Sequence, residues 1–151
     1  MDASFCNWLA GFVDGEGCFS LSAGSNGKSD LLFYKCVFSI ALRDDDKRIL
    51  EQIQETTGLG KVYFFAARGT SQPKATWAVS SKSDCLKLVE LFDRYPLRAK
   101  KSRDYAIWRE AVLLWTKQRH GVRETGPLQE RDKFAALKTK LQAVRKYRPA
   151  A

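Results

Sequence analysis

The stretch Ser4-Phe5-Cys6-Asn7-Trp8-Leu9-Ala10-Gly11-Phe12-Val13-Asp14-Gly15-Glu16-Gly17-Cys18-Phe19-Ser20-Leu21-Ser22 changes its periodicity halfway along. Phe5, Leu9, Phe12 and Val13 recur at helical spacing, and Ser4 can cap the helix this predicts over Ser4–Val13. Asp14-Gly15-Glu16-Gly17 then predicts a sharp turn, since two glycines in three residues admit backbone geometries closed to other residues. From Cys18 to Ser22 the period is two, with Phe19 and Leu21 on one face and Cys18, Ser20 and Ser22 on the other. A helix therefore feeds directly into a strand, and a carboxylate, Glu16, stands at the junction.

Gly24-Ser25-Asn26-Gly27 predicts the turn of a hairpin whose return strand is Leu31–Leu42. Asp44-Asp45-Asp46 introduces a helix to about Thr57, with acidic residues in the first turn where they suit the helix dipole. Ile49, Leu50 and Ile53 form its apolar face, and Gly58 and Gly60 stop it. A second hairpin follows, Lys61–Ala67 and Lys74–Ser80, joined through Gly69–Pro73. Ser83 or Asp84 is placed to cap a helix carrying Leu86, Val89, Leu91 and Phe92, with Pro96 just past its end. Helices over Lys101–Gln118 and Leu128–Tyr147 complete the chain, separated by a Gly121–Pro127 loop. The order α-β-β-α-β-β-α over residues 1–96, followed by basic helices over 97–151, predicts one α+β domain with helices on one face of an antiparallel sheet.

Alternation assigns the two sheet faces. Phe19, Leu21, Phe38 and Ile40, then Val62, Phe64, Trp77 and Val79, are predicted to point at the helices. Ser20, Ser22, Phe33, Lys35, Val37 and Ser39 point away in the first hairpin, as do Lys61, Tyr63, Phe65, Thr76 and Ser80 in the second. Such a face suits either ordinary solvation or contact with DNA base edges.

The net charge of +9 over 151 residues is unevenly spread. Residues 1–93 hold ten basic against twelve acidic side chains, whereas residues 94–151 hold sixteen against five. This asymmetry points to a polyanionic partner, of which nucleic acid is the commonest. The hydrophobic content of 44% excludes wholesale disorder, and no apolar run is long enough to span a membrane. Met1-Asp2-Ala3-Ser4 lacks the features of a signal or transit peptide, which predicts action in the compartment of synthesis. Cys6, Cys18, Cys36 and Cys85 form no CxxC pair, so they are read as reduced thiols filling apolar gaps rather than as a zinc site. His120, the one histidine, is assigned no chemistry.

Leu9-Ala10-Gly11-Phe12-Val13-Asp14-Gly15-Glu16-Gly17 resembles the signature of the LAGLIDADG homing endonucleases. Leu9-Ala10-Gly11 match its first three letters, Phe12 and Val13 fill its apolar pair, Asp14 matches, and Glu16 stands in place of the final Asp. The inferred element order is also that family's, in which the sheet forms a saddle over the DNA major groove. The resemblance implies a site-specific double-strand DNA endonuclease. With one motif, the chain would act as a homodimer through the Leu9–Gly15 helix, where Ala10, Gly11, Asp14 and Gly15 let two helix backbones approach.

In that arrangement Glu16 is the catalytic metal ligand, helped by the Gly15 carbonyl, and the metal is Mg²⁺, for which Mn²⁺ can substitute. Lys100 matches the position of a family lysine near the scissile phosphate. A glutamine that orders water in some relatives is replaced here by Leu42, and Arg43, next along, is the candidate substitute. A strand of about 8 residues at ~3.3 Å each covers about 8 base pairs at ~3.4 Å, so the dimer is expected to read a long, near-palindromic site. Base contacts are assigned to Ser20, Ser22, Lys35, Ser39, Lys61, Tyr63, Thr76 and Ser80, with Asn26 and Lys28 at the hairpin tip and Arg68 in the second connection. Phosphates are assigned to Arg98, Lys100, Lys101, Arg103, Arg119, Arg123 and the basic C-terminal helix. The alternative on the same scaffold is a maturase that binds intron RNA. The compartment would be an organelle (mitochondrion or chloroplast) if the gene is organellar, or otherwise a bacterial cytoplasm.

Overall fold

In the computed structural model, which describes residues 1–25, 31–117, 122–123, 128–146 and 149, the expected order of elements is found. Helix α1 (Ala3–Glu16) leads into strands β1 (Gly17–Ser25) and β2 (Leu31–Arg43). A 3-10 turn at Asp44–Asp46 opens α2 (Lys47–Thr57), followed by β3 (Lys61–Phe65), β4 (Lys74–Val79) and α3 (Lys82–Arg94). Then come α4 (Lys101–Lys117), the short β5 (Val122–Arg123) and α5 (Leu128–Arg145). The antiparallel sheet runs β1-β2-β4-β3, with β5 also pairing with β2.

The first correction concerns α1, which does not stop at Val13. It runs to Glu16, so Gly15 and Glu16 are helical, and its cap is Asp2, whose side chain accepts the Phe5 N–H at 2.8 Å. The chain turns at Gly17 instead, where the N–H closes on the Val13 carbonyl and the backbone is already extended at φ −70°. Glycine is needed there for room rather than for handedness: a Cβ would stand 2.7 Å from both Cγ1 and O of Val13. Ser81, not Ser83 or Asp84, caps α3, its hydroxyl accepting the Asp84 N–H at 3.1 Å.

The inner face of the sheet follows the alternation. Phe19, Phe38, Ile40, Trp77 and Val79 are fully buried, together with Leu9 and Val13 of α1, Leu50 and Ile53 of α2, and Leu88 and Phe92 of α3. Trp77 donates its indole N–H to the Leu59 carbonyl at 2.8 Å. Gly60 lies at φ +66°, and a Cβ on it would meet the Ala78 carbonyl at 2.3 Å, so the α2–β3 connection depends on glycine. Phe64 departs from expectation. Its register partner is the buried Ala75, yet Phe64, on the edge strand β3, is 55% exposed, whereas Val62 of the same strand packs against the core.

Helices α4 and α5 belong to the same core. Ile107, Trp108, Ala111 and Val112 are buried, and Phe134 of α5 stacks on Tyr34 of β2 with ring centroids 4.2 Å apart. Residue 96 therefore marks a change in charge, not an end to packing. Helices α3 and α4 are further joined where Arg109 forks onto Asp93 with contacts of 2.8–2.9 Å and the Tyr105 hydroxyl donates to the same carboxylate at 2.6 Å. The Arg109 hydrogen bonds hold the Asp93 carboxyl below the usual carboxylate range.

A carboxyl with a depressed native pKa stabilises the fold fully above its unfolded value, about pH 4, and loses that contribution as the pH falls through the native value. Asp93→Asn should therefore lower the urea midpoint near neutral pH, and the gap to wild type should be smaller at about pH 3. Unfolding followed by tryptophan fluorescence at the two pH values checks this, and a gap of constant size would contradict it.

Candidate functional site

Glu16 is the last residue of α1, and its exposed carboxylate makes no hydrogen bond or ion pair with any described residue. The residues on either side of it are tied to the start of α4. Two positions earlier, the Asp14 carboxylate accepts the backbone N–H groups of Arg98 at 2.8 Å and Ala99 at 3.1 Å. One position later, the Gly17 carbonyl accepts the Lys101 ammonium. Farther along β1, the Phe19 carbonyl accepts the Arg145 guanidinium, which also donates to the buried Asp104 at 3.1 Å. Helix α5 thus joins α4 and β1 behind the α1–β1 junction.

Lys100 is exposed at the mouth of two adjoining clefts. One, of about 330 Å³, is lined by Gly17, Cys18, Lys100, Lys101, Asp104 and Arg145. The other, of about 650 Å³, runs between the start of α4 and the end of α5, with Arg98, Lys100, Arg103, Lys140 and Lys146 supplying its charge. Sequence reading assigned phosphates to the basic α5 without singling out residues. The cleft singles out Lys140 and Lys146, which no helical spacing pairs, because six residues do not return to one helix face and Lys146 lies just past the end of α5.

The motif helix divides differently from the predicted small-residue face. Ala10 is buried at 5% exposure with Leu9 and Val13, while Gly11 and Gly15 lie on the exposed side. A Cβ on either glycine would meet no atom within 4 Å outside the helix's own turn. Phe12 is half-buried and stacks on the exposed Trp8 at 5.2 Å, so it is not packed wholly against the sheet.

The outward face of the sheet has the expected members. Ser22 pairs with Lys35, both exposed, and Lys61 and Tyr63 are exposed on β3. Ser20, Ser39, Thr76 and Ser80 are half-buried between their neighbours, and the Ser20 hydroxyl donates to the Val37 carbonyl at 3.4 Å. Register sets three rows across the strands: Cys18–Ser39–Ala78–Lys61, then Ala41–Thr76–Tyr63, then Arg43–Lys74–Phe65. Lys74 went unassigned in the sequence, although it lies two residues before Thr76 and so shares its face. Its ammonium sits 5.4 Å from the Phe65 ring centroid.

The Arg43 guanidinium pairs with Asp45 in the turn after β2, and Arg43 lies three residues along that strand from Ile40, the register partner of Gly17. Leu42 faces inward opposite Ala75. Arg68 is exposed and its backbone bridges to Ser71 within the β3–β4 connection. For Arg123 the backbone is described, in β5. Asn26, Lys28, Arg119 and His120 lie outside the described residues.

Among the described residues, no group of three or more His, Cys, Asp or Glu side chains could hold a metal, and no helix is long and apolar enough to cross a membrane. Glu16 offers one hard oxygen donor. The Gly15 carbonyl lies in the last turn of α1, where carbonyls have no partner within the helix and the dipole favours a cation. One chain therefore supplies part of a Mg²⁺-type donor set.

A helix that ends in an unpartnered carboxylate, above an antiparallel sheet with a polar outer face, defines a class. The profile described as LAGLIDADG endonuclease matches residues 9–112. This chain belongs to that family. Among curated relatives, the probable intron-encoded endonuclease Cox1-I1b of Schizosaccharomyces pombe is 32% identical over 113 residues, covering 74% of this chain and 28% of the relative. The uncharacterised mitochondrial protein RF1 of Saccharomyces cerevisiae is 29% identical over 112 residues, covering 73% of this chain and 21% of that protein. The chain thus spans about a quarter of the length of the curated relatives it matches. Among solved structures, the archaeal intron-encoded homing endonuclease I-Vdi141I complexed with DNA superposes with a TM-score of 0.77 at 20% identity, over 99% of this chain and 91% of that one. The homing endonuclease I-TnaI superposes with a TM-score of 0.71 at 24% identity, over 93% and 97%. These likenesses confirm the saddle-type fold.

The four cysteines are free, but Cys18 is exposed on the outer sheet face rather than filling an apolar gap. Cys6, Cys36 and Cys85 are buried, and burial pushes the Cys36 thiol up and the Cys85 thiol to about 12. A water-soluble thiol reagent should therefore modify one cysteine quickly in the native protein and the other three only on unfolding. Mass mapping should find the fast adduct on Cys18; an adduct elsewhere would contradict the face assignment.

Proposed function

We propose that the chain is a site-specific double-strand DNA endonuclease that works as a homodimer with a divalent metal, Mg²⁺ or in its place Mn²⁺. The observation that carries this is Glu16: an exposed carboxylate at the end of the motif helix, one residue before Gly17, which lines a basic cleft together with Lys100. An exposed acid with no partner among the described residues, at a helix end that favours cations, fits a metal shared with a second copy and with DNA phosphates. When bound, the metal supplies Lewis-acid stabilisation of the attacking and leaving oxygens.

The chain's own residues do the rest. Glu16 and the Gly15 carbonyl provide oxygen donors at the dimer axis. Lys100 stabilises charge on the scissile phosphate or holds a proton near the attacking water. Arg43, paired with Asp45 at the end of β2, remains the candidate to order the attacking water in place of the glutamine that Leu42 replaces. Gly11 and Gly15 leave the outer side of α1 bare, which lets the same helix of a second copy approach closely and brings two Glu16 carboxylates together.

The outer sheet face would read bases, with Lys35, Lys61 and Lys74 favouring guanine edges and the Tyr63 and Phe65 rings favouring thymine methyl groups. Asn26, Lys28 and Arg68 would reach the outer parts of the half-site. Arg98, Lys101, Arg103, Arg119 and Arg123 would hold phosphates, and Lys140 and Lys146 extend that track. A mitochondrial setting is the compartment the relatives' names favour.

Two substitutions test the reading. Glu16→Gln keeps the shape of the side chain and removes its charge. Cleavage in Mg²⁺ should fall by several orders of magnitude while DNA affinity in Ca²⁺ changes only a few-fold, and near wild-type cutting would reject Glu16 as a ligand. Gly11→Leu should hold the two helices apart. Sedimentation with target DNA should then lose the two-chain complex, and an active complex of one chain per duplex would refute the dimer.

A further inference from the structure

We propose that Asp14 is the positioning residue of the cleavage centre, its carboxylate setting Lys100 against Glu16 by holding the backbone on which Lys100 is carried. This rests on the cleavage reading above, which gives Lys100 its task. The segment Leu97-Arg98-Ala99-Lys100 contains no side-chain oxygen, and Pro96 before it has no N–H, so the segment cannot fix itself by the local caps that usually start a helix. The acceptor comes from α1 instead. Asp14 takes both the Arg98 and the Ala99 N–H, at 2.8 and 3.1 Å.

Two hydrogen bonds from consecutive amides to one carboxylate fix the orientation of the segment as well as its place, and bonds to an ionised acceptor are the stronger kind. Lys101 closes the other side through its bond to the Gly17 carbonyl. Lys100 is therefore flanked by two tethered neighbours, Ala99 and Lys101, and both tethers end on residues that flank Glu16. Leu97, buried at 6% exposure, anchors the segment from below. Lys100 itself is left untethered and exposed, lining the cleft that includes Gly17. The two cleavage residues thus come from elements far apart in sequence and are locked together by the backbone at each side of them.

The test is a double-mutant cycle on Asp14→Asn and Lys100→Met, read as single-turnover cleavage at saturating protein, with affinity measured separately in Ca²⁺. Asp14→Asn should slow cleavage at least about tenfold with affinity changed less than about threefold, and in the Lys100→Met background it should add less than about twofold. Equal slowing in both backgrounds would mean that Asp14 supports the fold generally, and would overturn the proposal. Amide exchange supplies a readout without cleavage. Arg98 and Ala99 should exchange at least about tenfold faster in Asp14→Asn, with the interior of α4 unchanged; unchanged exchange would also overturn it. Should Asp14→Asn fail to fold, Asp14→Glu carries the same cycle, because it keeps the charge on a longer arm. A wild-type protein that cuts no member of a randomised duplex library removes the cleavage reading and this proposal together. A wild type that cuts, with additive losses in the cycle, removes the proposal alone.

Discussion

Two backbone amides at Arg98 and Ala99 point at the carboxylate of Asp14, which precedes them by 84 and 85 residues. Much of the molecule is organised around that meeting. It joins the end of α1 to the start of α4, and the Lys101 bond to Gly17 locks the same junction one step farther on. Helix α4 then passes under the sheet, burying Trp108 against Phe19 with ring centroids 5.3 Å apart. Arg145 returns from α5 to the Phe19 carbonyl and to Asp104, so the third layer of contacts reports back to the same strand. A buried Asp104 without Arg145 would be an uncompensated charge, which explains why α5 must dock for the junction to be stable.

The junction also explains how charge is distributed. The chain's basic excess lies after residue 93, and seven of its sixteen basic side chains there, from Arg98 to Lys146, line the clefts around Lys100. The sheet's outer face carries few charges and many small polar groups. A surface that must distinguish bases gains from hydrogen-bonding groups of fixed geometry, whereas a surface that grips phosphates needs only positive charge and reach. Under the proposed function these two tasks fall on separate layers of the fold, so one could vary without disturbing the other.

Most of the architecture was legible because each element is strongly periodic. Strand alternation placed Phe19, Phe38, Trp77 and Val79 inside and Lys35, Lys61 and Tyr63 outside, and the structure agrees. What escaped were features set by distant contacts. The helix end was misplaced because Gly15 looks like a turn residue, while the true bend is fixed by the space Val13 leaves at Gly17. Phe64 obeys the alternation yet stays exposed, since no local rule says which strand will lie at the sheet edge. The pairing of Arg43 with Asp45, two residues on, is a local contact that strand alternation does not report. Asp14 carries no signal beyond its place in the motif, because its partners are 84 and 85 residues away.

Gly11 and Gly15 bear on what the chain is built to do. A glycine inside a helix costs about 0.5–1 kcal/mol relative to alanine, and α1 carries two of them on its exposed side. At Gly17 and Gly60 the structure itself excludes a side chain, with atoms 2.7 and 2.3 Å from any Cβ. At Gly11 and Gly15 it does not, since a Cβ there would meet nothing within 4 Å. Alanine would fit at both positions and stabilise the helix, so the isolated chain gives no reason for glycine. The reason must come from something that approaches the helix backbone more closely than a methyl group allows. The same helix end holds a carboxylate that lacks a partner among the described residues. The second copy of α1 in the proposed dimer, related by a two-fold axis, would answer both, because the contact that needs the bare backbone is also the one that would bring a second Glu16 to the first.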